Sequence, residues 1–122
     1  EITYKHCEGY AAGELKHGPL ALIEEDIPVI VLAPYDENFS KLLSNIQEIK
    51  ARGGKIIMIT DKKGSKKARK YCNQVVILTE SNILTAPIIY SLPVQLIAYY
   101  LAVLLGTDVD QPRNLAKSVT VE

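Results

Sequence analysis

Three short apolar runs limit this chain more than any other feature: "PVIVLAP" at 28–34, "KIIMITD" at 55–61 and "QVVILTE" at 74–80. Each has the length of a strand, is rich in Val and Ile, and carries no polar alternation. A strand with one face in water alternates apolar and polar residues. An unbroken run is the pattern of a parallel strand covered on both faces. The segments between the runs read as helices. Asn38 can cap a helix that carries Phe39, Leu42, Leu43, Ile46 and Ile49 on one face, and Gly53 and Gly54 stop it. The second connection, "KKGSKKARKYC", is a shorter helical candidate, and the third run leads into a long apolar segment. The order is βαβαβα, hence an α/β protein with a parallel sheet and right-handed crossovers.

Before the first run lies "EITYKHCEGYAAGELKHGPLALIEED". Its Ala, Leu and Tyr content favours helix, and its glycines punctuate it. The expectation is one or two helices ending near Gly18, then a short helical turn through Leu22. Three strands make a thin sheet for runs this apolar, so further strands are expected from residues upstream of Glu1. The chain begins with Glu rather than Met, and is read as a piece of something longer. "APIIYSLPVQLIAYYLAVLLG", 86–106, is long and apolar enough to be considered a membrane span. Pro87 and Pro93 interrupt it, Ser91 and Gln95 lie within it, and no Lys or Arg flanks it closely. A buried core helix is therefore expected, and no membrane.

The 122 residues suffice for about one small domain. Fourteen Lys and Arg balance fourteen Asp and Glu, which leaves no global charge to draw nucleic acid or an anionic membrane. Cys7 and Cys72 stand alone, without metal-ligand spacing. No metal site, cofactor or disulfide is expected, and the compartment indicated is a reducing cytoplasm.

Several stretches could carry chemistry. "DKKGSKKARK", 61–70, has the lysines of a phosphate loop at the end of a strand but not the GxxxxGK[ST] spacing, and a solvated helix face accounts for it better. "TESN", 79–82, is the natural start of the long helix, with Ser81 or Asn82 accepting a backbone N–H. "GELKHGPLAL", 13–22, sets His17 at a helix end before a sharp turn. There a histidine can serve the helix dipole or move protons near neutral pH. The last thirteen residues, "DQPRNLAKSVTVE", lack apolar periodicity and hold one lysine, Lys117, between small neighbours.

Two of these stretches, "GYAAGELKHGPLAL" and "GTDVDQPRNLAKSVTVE", closely resemble the glucosamine-6-phosphate synthase family, the glutamine–fructose-6-phosphate amidotransferases. The resemblance covers the whole chain and falls on the second half of the family's isomerase module, which is built from two SIS (sugar isomerase) subdomains. It implies a three-layer α/β/α sheet of SIS type, with 1–106 as a second SIS subdomain lacking its beginning and 107–122 as an irregular catalytic tail. The family makes glucosamine 6-phosphate from fructose 6-phosphate and glutamine. A separate glutaminase domain releases ammonia, and the isomerase module adds it and isomerises the sugar.

The resemblance also implies site residues. The family's proton-shuttling glutamate matches Glu1 of "EITY", where one carboxylate can move a proton between C1 and C2. Its ring-opening histidine matches His17. Its tail lysine matches Lys117, associated with Schiff-base formation at the sugar carbonyl, which requires the unprotonated amine. Ala116 matches a substrate-binding position, and Ala116 and Val119 lie at positions beside the ammonia path. The Ser/Thr-rich loop that holds the sugar phosphate belongs to the first SIS subdomain and has no equivalent here, so this chain alone is expected to be inactive.

Glu1 and His17 are separated by sixteen residues, about 24 Å along a straight helix. A kink at Gly9 or Gly13 could shorten this; a homodimer in which His17 of one subunit completes the site holding Glu1 of the other resolves it more simply, and the resemblance implies a family that is dimeric in this way. Two other readings stand beside the first: a non-catalytic SIS module that binds sugar phosphate or dimerises, and a related sugar-phosphate isomerase. The tail, which neither needs, favours the first.

Overall fold

The computed structural model describes residues 1–113. Its strands are β1 (Pro28–Ala33), β2 (Lys55–Thr60) and β3 (Gln74–Ile77), and its α-helices are α1 (Phe39–Ala51), α2 (Lys62–Ala68) and α3 (Ala86–Leu105). The three strands form one sheet in the order β1-β2-β3, parallel throughout. This is the open α/β sheet that the three apolar runs predict. Contacts divide the chain into two compact units, Gly9–Tyr90 and Glu1–Glu8 with Ser91–Glu122.

The core of the first unit lies on one face of the sheet. Val31 and Ala33 of β1 and Ile56 and Met58 of β2 meet Phe39, Ile46 and Ile49 of α1, with Leu20 and Ala68 closing the cluster. The helix buries its apolar stripe because 39, 46 and 49 recur at helical spacing. Fully burying each isoleucine stabilises the unit by roughly 1.5–3 kcal/mol. Gly53, at φ 85, turns the chain out of α1, and the Gly53 and Gly54 N–H groups donate to the Lys50 and Ile49 carbonyls. Those are the helix stops the sequence marks.

Four expectations are corrected. Residues 1–11 are not helical; the regular structure before β1 is two 3-10 turns, Ala12–His17 and Pro19–Leu22. Gly9 and Gly13 interrupt the segment often enough that no α-helix propagates. The straight-helix separation of Glu1 and His17 therefore has no basis here. Asn38 precedes α1, but its side chain caps nothing. Asp36 serves instead, its carboxylate accepting the Asn38 N–H at 2.8 Å and its carbonyl the Phe39 N–H at 3.2 Å. Coverage on both faces holds for β2 alone: Ile30 and Leu32 of β1 and Val76 of β3 remain 41%, 42% and 40% exposed on the second face.

The fourth correction concerns α3. Among the described residues it is the one helix long and apolar enough to cross a membrane, and only 11% of its apolar window is buried. It was expected as a core helix, yet Leu92, Leu96, Tyr100 and Leu104 are exposed within this chain. Its side chains are apolar nearly all round, so no single face of this one chain can cover them.

Candidate functional site

In the unit Gly9–Tyr90, His17 ends the 3-10 turn Ala12–His17 and is exposed. Gly18 follows at φ 143, a conformation that side chains disfavour, and Pro19 begins the next turn with its φ already set. The Gly-Pro pair thus explains why the imidazole stands at a sharp corner. Below it, Leu15 and Leu20 pack against the core, and Lys16 pairs with Glu48 of α1 at 2.7 Å. A surface ion pair adds little energy; the two leucines are what fix the corner.

The C-terminal ends of β1 and β2 are tied together by Asp61. Its carboxylate caps α2 by accepting the Lys63 and Gly64 N–H groups at 2.8 and 2.9 Å, and it also accepts the Tyr35 N–H. A carboxylate already fills the start of α2, so that turn offers nothing to a phosphate. Lys62, Lys63, Lys66 and Lys67 are exposed, and Lys63 meets Glu80 at 3.2 Å, which agrees with a solvated helix face. Asn82 holds the approach to α3, its side-chain oxygen accepting the Leu84 and Thr85 N–H groups at 2.9 and 3.0 Å. This is the cap expected within "TESN".

A cleft of about 580 Å³ opens between these strand ends, lined by Leu32, Tyr35, Asp36, Asn82, Pro87 and Tyr90 among others. Open α/β sheets hold ligands on this side. Tyr90 is buried, and its hydroxyl has no hydrogen-bond partner among the described residues. Burial, then the negative charge of Asp61, pushes its pKa up to about 12; the nearby Thr60 hydroxyl offsets this in part without meeting hydrogen-bond geometry.

The unit Glu1–Glu8 with Ser91–Glu122 brings the chain's beginning to the residues that follow α3. Glu1 is exposed, and its carbonyl accepts the Tyr4 N–H at 3.4 Å. Tyr4 sits at φ 52, unusual for a bulky residue and costing on the order of 1–3 kcal/mol. The Thr107 hydroxyl donates to the Ile2 carbonyl at 2.8 Å, and the Arg113 N–H donates to the Tyr4 hydroxyl at 2.7 Å. The Arg113 guanidinium also lies 4.3 Å from the centre of the Tyr4 ring. The Asp108 carboxylate accepts the Asp110 and Gln111 N–H groups, which holds it below the usual carboxylate range.

Of the residues singled out from the sequence, Glu1 falls in one unit and His17 in the other. Lys117, Ala116 and Val119 lie outside the described residues. The sequence reading passed over Tyr4, Arg113 and Tyr90. Tyr4 and Arg113 stand inside "EITY" and "DQPRN", the stretches already marked, but nothing in one dimension pairs them. Tyr90 reads there as one more apolar residue of a long helix.

Comparison with known proteins follows from this fold. A family model described as SIS domain matches residues 1–105. The chain is 62% identical over all 122 residues to a glutamine–fructose-6-phosphate aminotransferase [isomerizing] of Rhizobium meliloti, and 64% identical to that of Bartonella henselae. It spans 20% of the length of each. Among solved structures it resembles the C-terminal domain of glucosamine-fructose-6-phosphate aminotransferase from Francisella tularensis, with a TM-score of 0.82 and 44% identity. That similarity covers 88% of this chain and 30% of the other.

Proposed function

The chain belongs to the SIS domain family, and on that premise we propose that it is part of the isomerase module of an enzyme converting fructose 6-phosphate and glutamine-derived ammonia to glucosamine 6-phosphate. The observation that carries this reading is the identity of more than three residues in five, along the whole chain, with enzymes of that name. The ligand is a sugar phosphate. The remaining parts of the parent enzyme are a glutaminase domain, which supplies ammonia, and a first SIS subdomain, whose Ser/Thr-rich loop grips the phosphate. Two free thiols, Cys7 and Cys72, suit a reducing cytoplasm.

The roles follow from the chemistry of an aldose–ketose exchange. His17, an exposed imidazole at a rigid corner, passes a proton between the ring oxygen and the anomeric hydroxyl and opens the sugar. Lys117 condenses with the open-chain carbonyl, losing water; ammonia then adds to that carbon and displaces the lysine amine, and the sugar imine so formed makes the neighbouring C–H more acidic. Glu1 takes that proton from one carbon and returns it to the next. Ala116 lies against the substrate, and Ala116 and Val119 keep the ammonia route narrow and apolar. His17 is contributed by one subunit of a homodimer to the Glu1 of the other. In this reading other segments of the parent enzyme, rather than lipid, cover the apolar side chains of α3, and the 122 residues alone do not turn over.

The test is to purify the full-length protein and assay glucosamine 6-phosphate formed from fructose 6-phosphate and glutamine. Activity that disappears in Lys117→Ala supports the proposal. A full-length protein that binds sugar phosphate but never forms glucosamine 6-phosphate refutes it in favour of a non-catalytic binding module.

A further inference from the structure

We propose that the cleft at the C-terminal ends of the strands binds a small organic cation, an ammonium carried on an apolar ring, with Asp36, Glu37 and Tyr90 receiving the ammonium.

The cleft lies wholly within the unit Gly9–Tyr90. Its volume of about 580 Å³ falls among small-molecule sites, which run from roughly 300 to 1,000 Å³. Leu32, Pro87, Tyr35 and Tyr90 make much of its wall apolar. The Tyr35 ring is braced by Phe39, their centres 5.0 Å apart, so that part of the wall is formed before any ligand arrives.

Charge decides what can enter. Among the described residues that line the cleft, Asp36 and Glu37 are acidic and none is Lys, Arg or His. Neither carboxylate has an ion-pair partner among the described residues. Asp36 engages one oxygen with the Asn38 N–H, which leaves the other for a ligand. A cleft lined by one sign of charge between apolar walls focuses its field, so it draws cations and repels anions, a sugar phosphate included. A metal ion fits less well. No group of three metal-ligating side chains occurs among the described residues, and a hard divalent ion asks for about six oxygens. Apolar walls suit the body of an organic ion.

Tyr90 is the independent sign of an occupant. It is 4% exposed, and its hydroxyl is buried with no hydrogen-bond partner among the described residues. Native proteins seldom leave such a group unsatisfied. Burial first, then the charges of Asp61 and Asp36, push its pKa upward, so a negative field reaches this hydroxyl as well. An ammonium beside it donates to the hydroxyl and to a carboxylate together, and tyrosine faces attract a cation in addition.

The test is saturation-transfer NMR on the full-length protein with cyclohexylammonium, cyclohexanol and cyclohexanecarboxylate, one ring bearing three different charges. The cation is expected to bind, the alcohol roughly tenfold more weakly and the carboxylate not at all. The double variant Asp36→Asn/Glu37→Gln keeps an acceptor for the Asn38 N–H, and with it the local fold. It should weaken cation binding by roughly tenfold or more. Tyr90→Phe, which loses only the hydroxyl, should weaken it about threefold. Equal binding of the three probes, wild-type cation affinity in the double variant or in Tyr90→Phe, or no transfer to the cation in the wild-type protein would each overturn the site.

Discussion

Asp61 and Tyr35 are joined by a hydrogen bond of 3.0 Å from the Tyr35 N–H to the Asp61 carboxylate, across 26 residues of sequence. The bond ties the end of β2 to the loop leaving β1. With its other oxygen the same carboxylate caps α2. One buried side chain therefore fixes three chain segments at the mouth of the cleft, and the geometry of that mouth depends on it.

Asp61→Ala removes the cap and the tie together. A lost N-cap costs about 0.5–2 kcal/mol, and the unpartnered Tyr35 N–H adds roughly another 1 kcal/mol. Urea unfolding of the protein should show a loss of about 1–3 kcal/mol. Asp61→Asn retains an acceptor oxygen and should lose less than half as much.

Gly64 lies inside α2, where alanine normally stabilises a helix by about 1 kcal/mol. Here the sign reverses. A Cβ at this position would overlap the Thr60 hydroxyl and approach Phe39 Cε2 to 3.0 Å. Thr60 is held in place by its 2.5 Å bond to the Ala33 carbonyl and cannot easily yield. Gly64→Ala is expected to destabilise by about 1–3 kcal/mol, read as a lower thermal midpoint. A raised midpoint would mean that β2 and α2 separate more readily than this packing allows.

Tyr90→Phe deletes a buried hydroxyl that has no hydrogen-bond partner among the described residues. Stability at neutral pH should change by less than about 1 kcal/mol or rise slightly. The pH dependence is the sharper readout. The folded pKa of Tyr90 stands near about 12, above the ordinary 10.0, so the folded state holds this proton more tightly than the unfolded state does. The associated stability is complete below pH 10 and is lost as the pH rises through 10 towards 12. Thermal midpoints should fall over that window in the wild-type protein and fall less in Tyr90→Phe.

Shared sites across a dimer can be tested by complementation. Full-length Glu1→Gln and His17→Ala variants should each be inactive. Co-expressed, half of the dimers are mixed, and each mixed dimer carries one intact site if His17 crosses subunits. Roughly a quarter of wild-type synthase activity should return. No recovery, with mixed dimers verified by tag pull-down, would place Glu1 and His17 of one site on the same subunit.

The sheet was legible in one dimension because unbroken Val- and Ile-rich runs have few other uses, and because Gly53-Gly54 and Asn82 punctuate the chain by local chemistry. Local patterns gave no such guidance for residues 1–11, where helix-favouring composition loses to glycines spaced too closely for a turn to propagate. They also misplaced the cap of α1, since Asn38 and Asp36 are both capable acceptors and only the path of the backbone chooses between them. The candidate site residues Glu1, His17 and Lys117 came from motif resemblance alone, and in the described residues His17 stands at the corner its Gly-Pro neighbour implies. What the sequence determined by itself was therefore the order of elements and the stretches that matter, because these depend on contacts a few residues apart. Only the tertiary structure decided that Asp61 holds Tyr35, that the Tyr90 hydroxyl is buried with no partner among the described residues, and that Arg113 returns to Tyr4. Each joins positions from 26 to 109 residues apart or depends on burial that such distant segments create, and no local pattern records which of many polar side chains will meet.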